Sequence, residues 1–193
     1  HDWMPSTPIH LLVYKYLGYE LPEIGHLTDI LDPEGGKLSK RKGSTSVDGL
    51  LKEGYLPEAI LNFIMLLGWA PKDNRELFTL SQFVEAFDPN GFQRSNPVFN
   101  SEKLDWFNGE YIRQKSDAEL SSLFMQFAPK EDRELVVKIT PLIKERIAKF
   151  SDFTGLAGFF FERKDVDKTL LGENYKEHIG KAIEAIENNV DLM

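Results

Sequence analysis

The chain contains no cysteine. Disulfides and thiolate metal sites are therefore excluded, and the composition suits a reducing compartment. Its four histidines, His1, His10, His26 and His178, take no ligand spacing such as H-E-x-x-H. No apolar run approaches the ~20 residues that span a bilayer. No secretory or transit signal is visible, and there is no G-x-G-x-x-G, P-loop, internal repeat or low-complexity segment. Basic excess is also missing. Lys+Arg 23 stand against Asp+Glu 31, a formal net charge of −8, which excludes a generally basic nucleic-acid coat. A local anion site survives that balance, because surface charges beyond roughly 8–10 Å are screened at physiological salt. What remains is an ordinary globular composition, 41% hydrophobic and 28% charged over 193 residues, long enough to bury a core in one or two domains.

One stretch runs against the acidic balance. Lys37-Leu38-Ser39-Lys40-Arg41-Lys42-Gly43 carries no acid and directly follows the turn Asp32-Pro33-Glu34-Gly35-Gly36. Glycines on both sides permit a mobile backbone, and lysine is a compact point charge suited to polyphosphate. The pattern reads as a flexible basic loop for phosphate. Taken alone, it equally fits a solvated basic loop or a localisation signal.

The rest reads as mainly helical. Residues 8–17 form a short helix, capped by Ser6 or Thr7 and ended by Gly18. Residues 22–31 look extended, and a lone strand there has an unpaired edge. Residues 47–53 make a short helix or turn ended by Gly54. Pro57 opens a central helix with Ile60, Phe63, Ile64 and Leu67 on one stripe, closed by Gly68. Thr79-Leu80-Ser81-Gln82 is a capping-box pattern, and 88–100 is a loop rich in Asn, Pro and Gly. Ser101 precedes another short helix, which carries Leu104 and Phe107 and is expected to stop at Asn108-Gly109. A domain boundary is placed near 114–116, before the capping box Ser116-Asp117-Ala118-Glu119. Residues 130–150 are amphipathic, with Pro141 breaking or kinking them. The Phe-rich stretch 153–161 is expected to be core. Ile179, Ile183 and Ile186 share a face of a last helix. Trp69 and Trp106 are assigned to core packing rather than ligand stacking.

Lys37-Leu38-Ser39-Lys40-Arg41 resembles, in the form K-L-S-K-R, the K-M-S-K-S signature of class I aminoacyl-tRNA synthetases. Further segments look, in the same order, like glutamyl-tRNA synthetase. They are Ser6-Thr7-Pro8, Lys40 to Val47, Glu53-Gly54-Tyr55-Leu56-Pro57-Glu58-Ala59, Leu67-Gly68-Trp69, Phe99 to Trp106, Asn108-Gly109 and Tyr111-Ile112-Arg113. The resemblance is close over 1–115 and looser afterwards. It implies an internal or C-terminal fragment lacking the N-terminal nucleotide-binding domain, whose H-I-G-H-type motif is not found here. The implied fold is mainly α with a small α/β remnant. Residues 1–45 would end the catalytic domain and carry the loop, 46–115 would be the helical stem-contact region, and 116–193 part of a helical anticodon-binding domain. Glutaminyl-tRNA synthetase carries β-barrel anticodon domains, so the helical reading of 116–193 favours the glutamyl enzyme.

The same resemblance implies a glutamate–tRNA ligase that uses ATP, with Mg in the intact enzyme, and takes glutamate and tRNA(Glu) as partners. The implied enzyme is a cytoplasmic monomer without membrane contact, and the isolated fragment is expected to be inactive. Lys40 matches the family's ATP-contacting lysine, with Lys37 assisting it, backbone N–H groups near Ser39 on the phosphates and Arg41 adding positive field. Trp3 matches a stretch at the active-site edge and could pack on the nucleotide or amino acid; as a frayed terminus it would do neither. Arg113 would contact tRNA phosphate or tie two helical regions together. Arg146 aligns with a basic position used for the anticodon, or belongs to a solvated face. His10 reads as a packed or surface histidine. Two rivals need no catalysis: a stand-alone helical RNA-binding module, and a protein-interaction module in which the basic loop is incidental.

Overall fold

Caps and glycines set most of the helix ends in the computed structural model, which describes residues 3–39, 46–128, 130–162, 172 and 174–188. Helix α1 is Thr7–Leu17 and ends at Gly18, whose φ of 70° favours glycine. Its start departs from the sequence expectation. Neither Ser6 nor Thr7 caps it; both hydroxyls donate to the Trp3 carbonyl, at 3.0 and 2.9 Å. The chain enters α1 through a 3₁₀ turn, Met4–Ser6, so Ser6 is already helical. Helix α2, Val47–Lys52, is capped by Ser46, which accepts from the Gly49 N–H at 3.1 Å. Helix α3 is Pro57–Leu66, with proline in its first turn. Helix α4, Leu80–Ala86, carries a complete capping box from Thr79 and Gln82.

Helix α5 is longer than expected. It runs Ser101–Gln114, straight through Asn108-Gly109. Asparagine weakens helices by competing for the backbone, but Asn108 is fully buried and bonded to other parts of the chain. Tertiary partners override the local stop signal. Helix α6, Asp117–Phe127, has the second complete capping box, from Ser116 and Glu119. Helix α7, Arg133–Lys144, continues past Pro141, which removes one N–H near its end without breaking it. Helix α8 is Phe153–Phe161 and α9 is Tyr175–Glu187. Among the described residues the fold is mainly α and β pairing is confined to isolated bridges. Two of these give the extended segment 22–31 the pairing that a lone strand lacks. Leu31 pairs antiparallel with Lys37 and parallel with Val98.

Two compact units result, His1–Gly158 and Phe159–Met193. In the first, α3 packs on α5 around Leu50, Tyr55, Ile60, Phe63, Leu104 and Phe107. A second core joins α6 and α7, where Phe124 stacks on Phe153 with ring centroids 4.6 Å apart. Trp69 is buried as expected, amid Phe78, Phe83 and Phe87. Trp106 is not: it is 39% exposed, with the Lys103 ammonium 4.0 Å above its ring. The Phe-rich stretch divides. Phe153 is buried and Phe159 is 65% exposed, because a continuous helix cannot turn every aromatic of a short run to one side. In the second unit α9 forms with Ile179, Ile183 and Ile186 exposed.

Candidate functional site

The backbone before the basic run is a tight hairpin. Asp32 N–H donates to the Gly36 carbonyl and Gly35 N–H to the Asp32 carbonyl, both at 2.9 Å. The Asp32 carboxylate accepts from Glu34 N–H at 2.9 Å, an Asx turn. Gly35 and Gly36 have φ of 103° and 81°, a region in which residues with a Cβ are strained. The returning strand is fixed by Leu38 N–H on the Ile30 carbonyl at 2.8 Å. The outgoing strand is tied to the body by Leu31 N–H on the Pro97 carbonyl at 2.8 Å and Phe99 N–H on the Leu31 carbonyl at 2.9 Å.

This geometry places Lys37 beside Asp29, with Nζ 3.0 Å from Oδ1. The pair crosses the hairpin. An exposed ion pair is worth only about 0–1 kcal/mol, so its effect is to orient the ammonium. Asp29 does not stand out in the sequence; its spacing from Lys37 becomes meaningful only once the hairpin register is known. Ser39 comes next, half-buried. Lys40 and Arg41 lie outside the described residues, as do His1 and Asp2.

The chain re-enters the body at Ser46 and α2, and here the anchor is more extensive. Leu50 and Tyr55 are buried. Phe150 N–H donates to the Gly54 carbonyl at 3.1 Å, and Ser151 N–H to the Glu53 carbonyl at 3.4 Å. Asn108 Oδ1 accepts from Leu56 N–H at 2.8 Å, and Nδ2 donates to the Ala148 carbonyl at 2.6 Å. The Tyr55 hydroxyl donates to Asp105. Burial, and then that carboxylate, push the Tyr55 pKa far up, so it stays a neutral donor.

The other sequence candidates are dispersed. Trp3 is 70% exposed, with its ring edge-on to His10 at 5.7 Å. With Thr7, Tyr14, Ile24 and His26 the two line an open cavity of about 420 Å³. Thr7 Oγ1 and His26 Nε2 are 3.1 Å apart there. Arg113 pairs with Glu110 at 2.6 Å, one turn back on α5, and lies over Gly109. Arg146 is exposed just beyond α7. Lys37 and Ser39 are thus neighbours by sequence on the returning strand, and Trp3, Arg113 and Arg146 are separate positions. No group of three His, Asp or Glu among the described residues fits a metal ion. Among them, no helix is long and apolar enough to cross a membrane.

The chain is similar to known proteins along most of its length. Residues 1–106 match the family model described as tRNA synthetases class I (E and Q), catalytic domain. Residues 119–192 match one described as an anticodon binding domain. Similar curated proteins include a glutamate–tRNA ligase of Dehalococcoides mccartyi, 43% identical over 83% of this chain and 35% of its own length. One of Treponema denticola is 34% identical over 96% of this chain and 44% of its own length. The chain thus spans less than half the length of these relatives. A crystal structure of a glutamate tRNA ligase from Elizabethkingia meningosepticum, in complex with its amino acid, superposes with a TM-score of 0.78. It is 31% identical, over 96% of this chain and 42% of that one. With more than half of its residues fitting the catalytic-domain model, the chain belongs to the class I tRNA synthetases of the E and Q type.

Proposed function

We propose that the chain is part of a glutamate–tRNA ligase, and that its contribution is to deliver Lys40 to the phosphates of ATP and to contact tRNA(Glu). The observation that carries this reading is the hairpin at 29–38. It is pinned to the 97–99 segment, and in the sequence Lys40 follows two residues after it. In the parent reaction the glutamate carboxylate attacks the α-phosphorus, the bond to pyrophosphate breaks, and the adenylate then yields its acyl group to the tRNA 3′ end. Negative charge moves onto the leaving pyrophosphate. A lysine held there stabilises the transition state more than the ground state, which is the condition for acceleration. Arg41 and the N–H groups near Ser39 add to that field. Lys37, oriented by Asp29 at 3.0 Å, shapes the approach to the phosphates and is secondary to Lys40.

The division into 1–45, 46–115 and 116–193 belongs to the same reading, and its second boundary falls between the two family-model matches. Arg146, exposed after α7, is assigned to tRNA, as is Arg113. Trp3 is assigned to the edge of the amino acid and nucleotide site. Helix α1 exposes Ile9, Leu12 and Leu17 at 64%, 50% and 60%, the kind of apolar face that further catalytic-domain structure would cover. Alone, the chain is expected to be inactive; the complete enzyme would act as a cytoplasmic monomer.

The test is charging by the complete protein. Incubated with ATP, labelled glutamate and tRNA(Glu), it should form glutamyl-tRNA. Binding of tRNA without any charging would favour the non-catalytic RNA-binding module instead, and neither binding nor charging would favour the protein-interaction module.

A further inference from the structure

We propose that the junction of Asn108, Gly54 and residues 148–151 is a positioning device that fixes the downstream end of the K-L-S-K-R loop. The inference rests on the assignment of Lys40 to ATP. The described backbone stops at Ser39 and resumes at Ser46, so one structured element flanks the stretch that contains Lys40 on each side. The upstream anchor is the hairpin. The downstream one is α2, and α2 is short: it buries only Leu50 among its own residues. A helix of that length does not hold its own position. Residues 53–56, immediately after it, fasten it to the rest of the molecule.

Four polar interactions converge on those residues, and a fifth ties their partner Asn108 to Ala148. The carbonyls of Glu53 and Gly54 accept from Ser151 and Phe150. Leu56 N–H donates to Asn108 Oδ1 at 2.8 Å, and Asn108 Nδ2 reaches the Ala148 carbonyl at 2.6 Å. Lys149 Nζ lies 3.7 Å from the Glu53 carboxylate. Asn108 therefore bridges both sides of the contact at once, one end of its amide on the residues after α2 and the other on the residues before α8. It does so from a site with no solvent exposure, where an unmade hydrogen bond costs about 1–3 kcal/mol and no water can substitute.

Gly54 makes the close approach possible. Its φ is +90°, and a Cβ there would stand 2.7 Å from both the backbone nitrogen and the Cβ of Phe150. Phe150 is itself locked against Phe124 and Phe127, at centroid distances of 5.6 and 5.7 Å. The core of α6 and α7 is thus coupled rigidly to the helix that receives the loop. A buried side chain with both ends engaged, facing a glycine that tolerates no Cβ, is more than helix-to-helix packing requires. None of these groups touches substrate; they act through the placement of Lys40.

The experiment is ATP–pyrophosphate exchange by the complete synthetase carrying Asn108→Ala, with Lys40→Ala measured alongside. Active sites are titrated by adenylate burst, and folding is checked by thermal melting. Displacing a catalytic group by about 1 Å can cost on the order of a hundredfold in rate. The expected result is a raised KM for ATP and a lowered rate per titrated site, with KM for glutamate unchanged. If Asn108→Ala does not accumulate as folded protein, Asn108→Ser and Lys149→Ala take its place and should show the same pattern in smaller measure. A fall in activity that only tracks the number of titrated sites, with KM for ATP unaltered, would mean that the junction is merely structural and overturns the proposal. Should Lys40→Ala itself leave exchange untouched, the assignment of the loop to ATP fails and the junction proposal falls with it.

Discussion

Asn62 holds its neighbourhood together with one amide. Its Oδ1 accepts from the buried Phe78 N–H at 2.7 Å and lies 2.7 Å from the Tyr111 hydroxyl, and its Nδ2 donates to the Glu76 carbonyl at 2.8 Å. Tyr111 has a second acceptor, the Phe78 carbonyl at 2.8 Å, and desolvation raises its pKa. The two residues should therefore respond unequally to truncation. Asn62→Ala leaves the Phe78 N–H without an acceptor, and should cost about 1–3 kcal/mol in urea unfolding for that group alone. Tyr111→Phe leaves Asn62 bonded and should cost no more than about 1.5 kcal/mol. Equal losses would contradict this arrangement. Asp88 offers a pH test. The Lys72 ammonium at 2.8 Å, then the Asn90 N–H and side-chain amide, hold its carboxyl down from an ordinary value near 3.8 to about 2. Because the folded pKa is depressed, the pair's contribution is present above about 3.8 and lost as pH falls toward 2. In Lys72→Met a carboxyl-carbon NMR titration should show Asp88 moving back toward 3.8; an unmoved midpoint would sink the pairing. Neither Asn62 nor Asp88 stands out in the sequence, since their partners lie in other segments and no local pattern marks them.

At the scale of elements, two glycines separate what sequence could and could not tell. Gly54 reads as a helix terminator and is one, with φ +90°. Gly109 reads the same way and is not, because Asn108 beside it is held by distant carbonyl and N–H groups. Their substitutions should differ in sign. At Gly109 the nearest obstacle to a Cβ is the end of the Arg113 side chain, at 3.1 Å, which can move aside. Gly109→Ala should then be neutral or stabilising by up to about 1 kcal/mol, the helix-propensity difference. At Gly54 the obstacle is Phe150 backbone at 2.7 Å, so Gly54→Ala should lower the melting temperature. Differential scanning calorimetry of the two variants decides it, and a Gly109→Ala protein as damaged as Gly54→Ala would contradict the account. Helix starts at Pro57, Thr79 and Ser116 were legible because these signals act through adjacent residues. The start of α1 was not: its candidate caps turn back to the Trp3 carbonyl instead.

For the molecule as a whole, the mainly α architecture and the family were legible because a short basic signature occurred together with several ordered segments. Periodicity identified apolar faces but not which of them would find a partner. That is why Trp106 and Phe159, assigned to a core from sequence, are exposed. The formal net charge of −8 fits the proposed function only if phosphate chemistry is local, and the proposal confines it to Lys40 and its neighbours rather than spreading it over a basic surface. That claim is tested most directly by glutamate-dependent ATP–pyrophosphate exchange in the complete protein, comparing the natural sequence with Lys40→Ala. Loss of one such electrostatic donor typically costs about 10²–10³ in rate, and the account expects a fall of that order with melting behaviour unchanged. Exchange at the natural rate by a folded Lys40→Ala protein would contradict it.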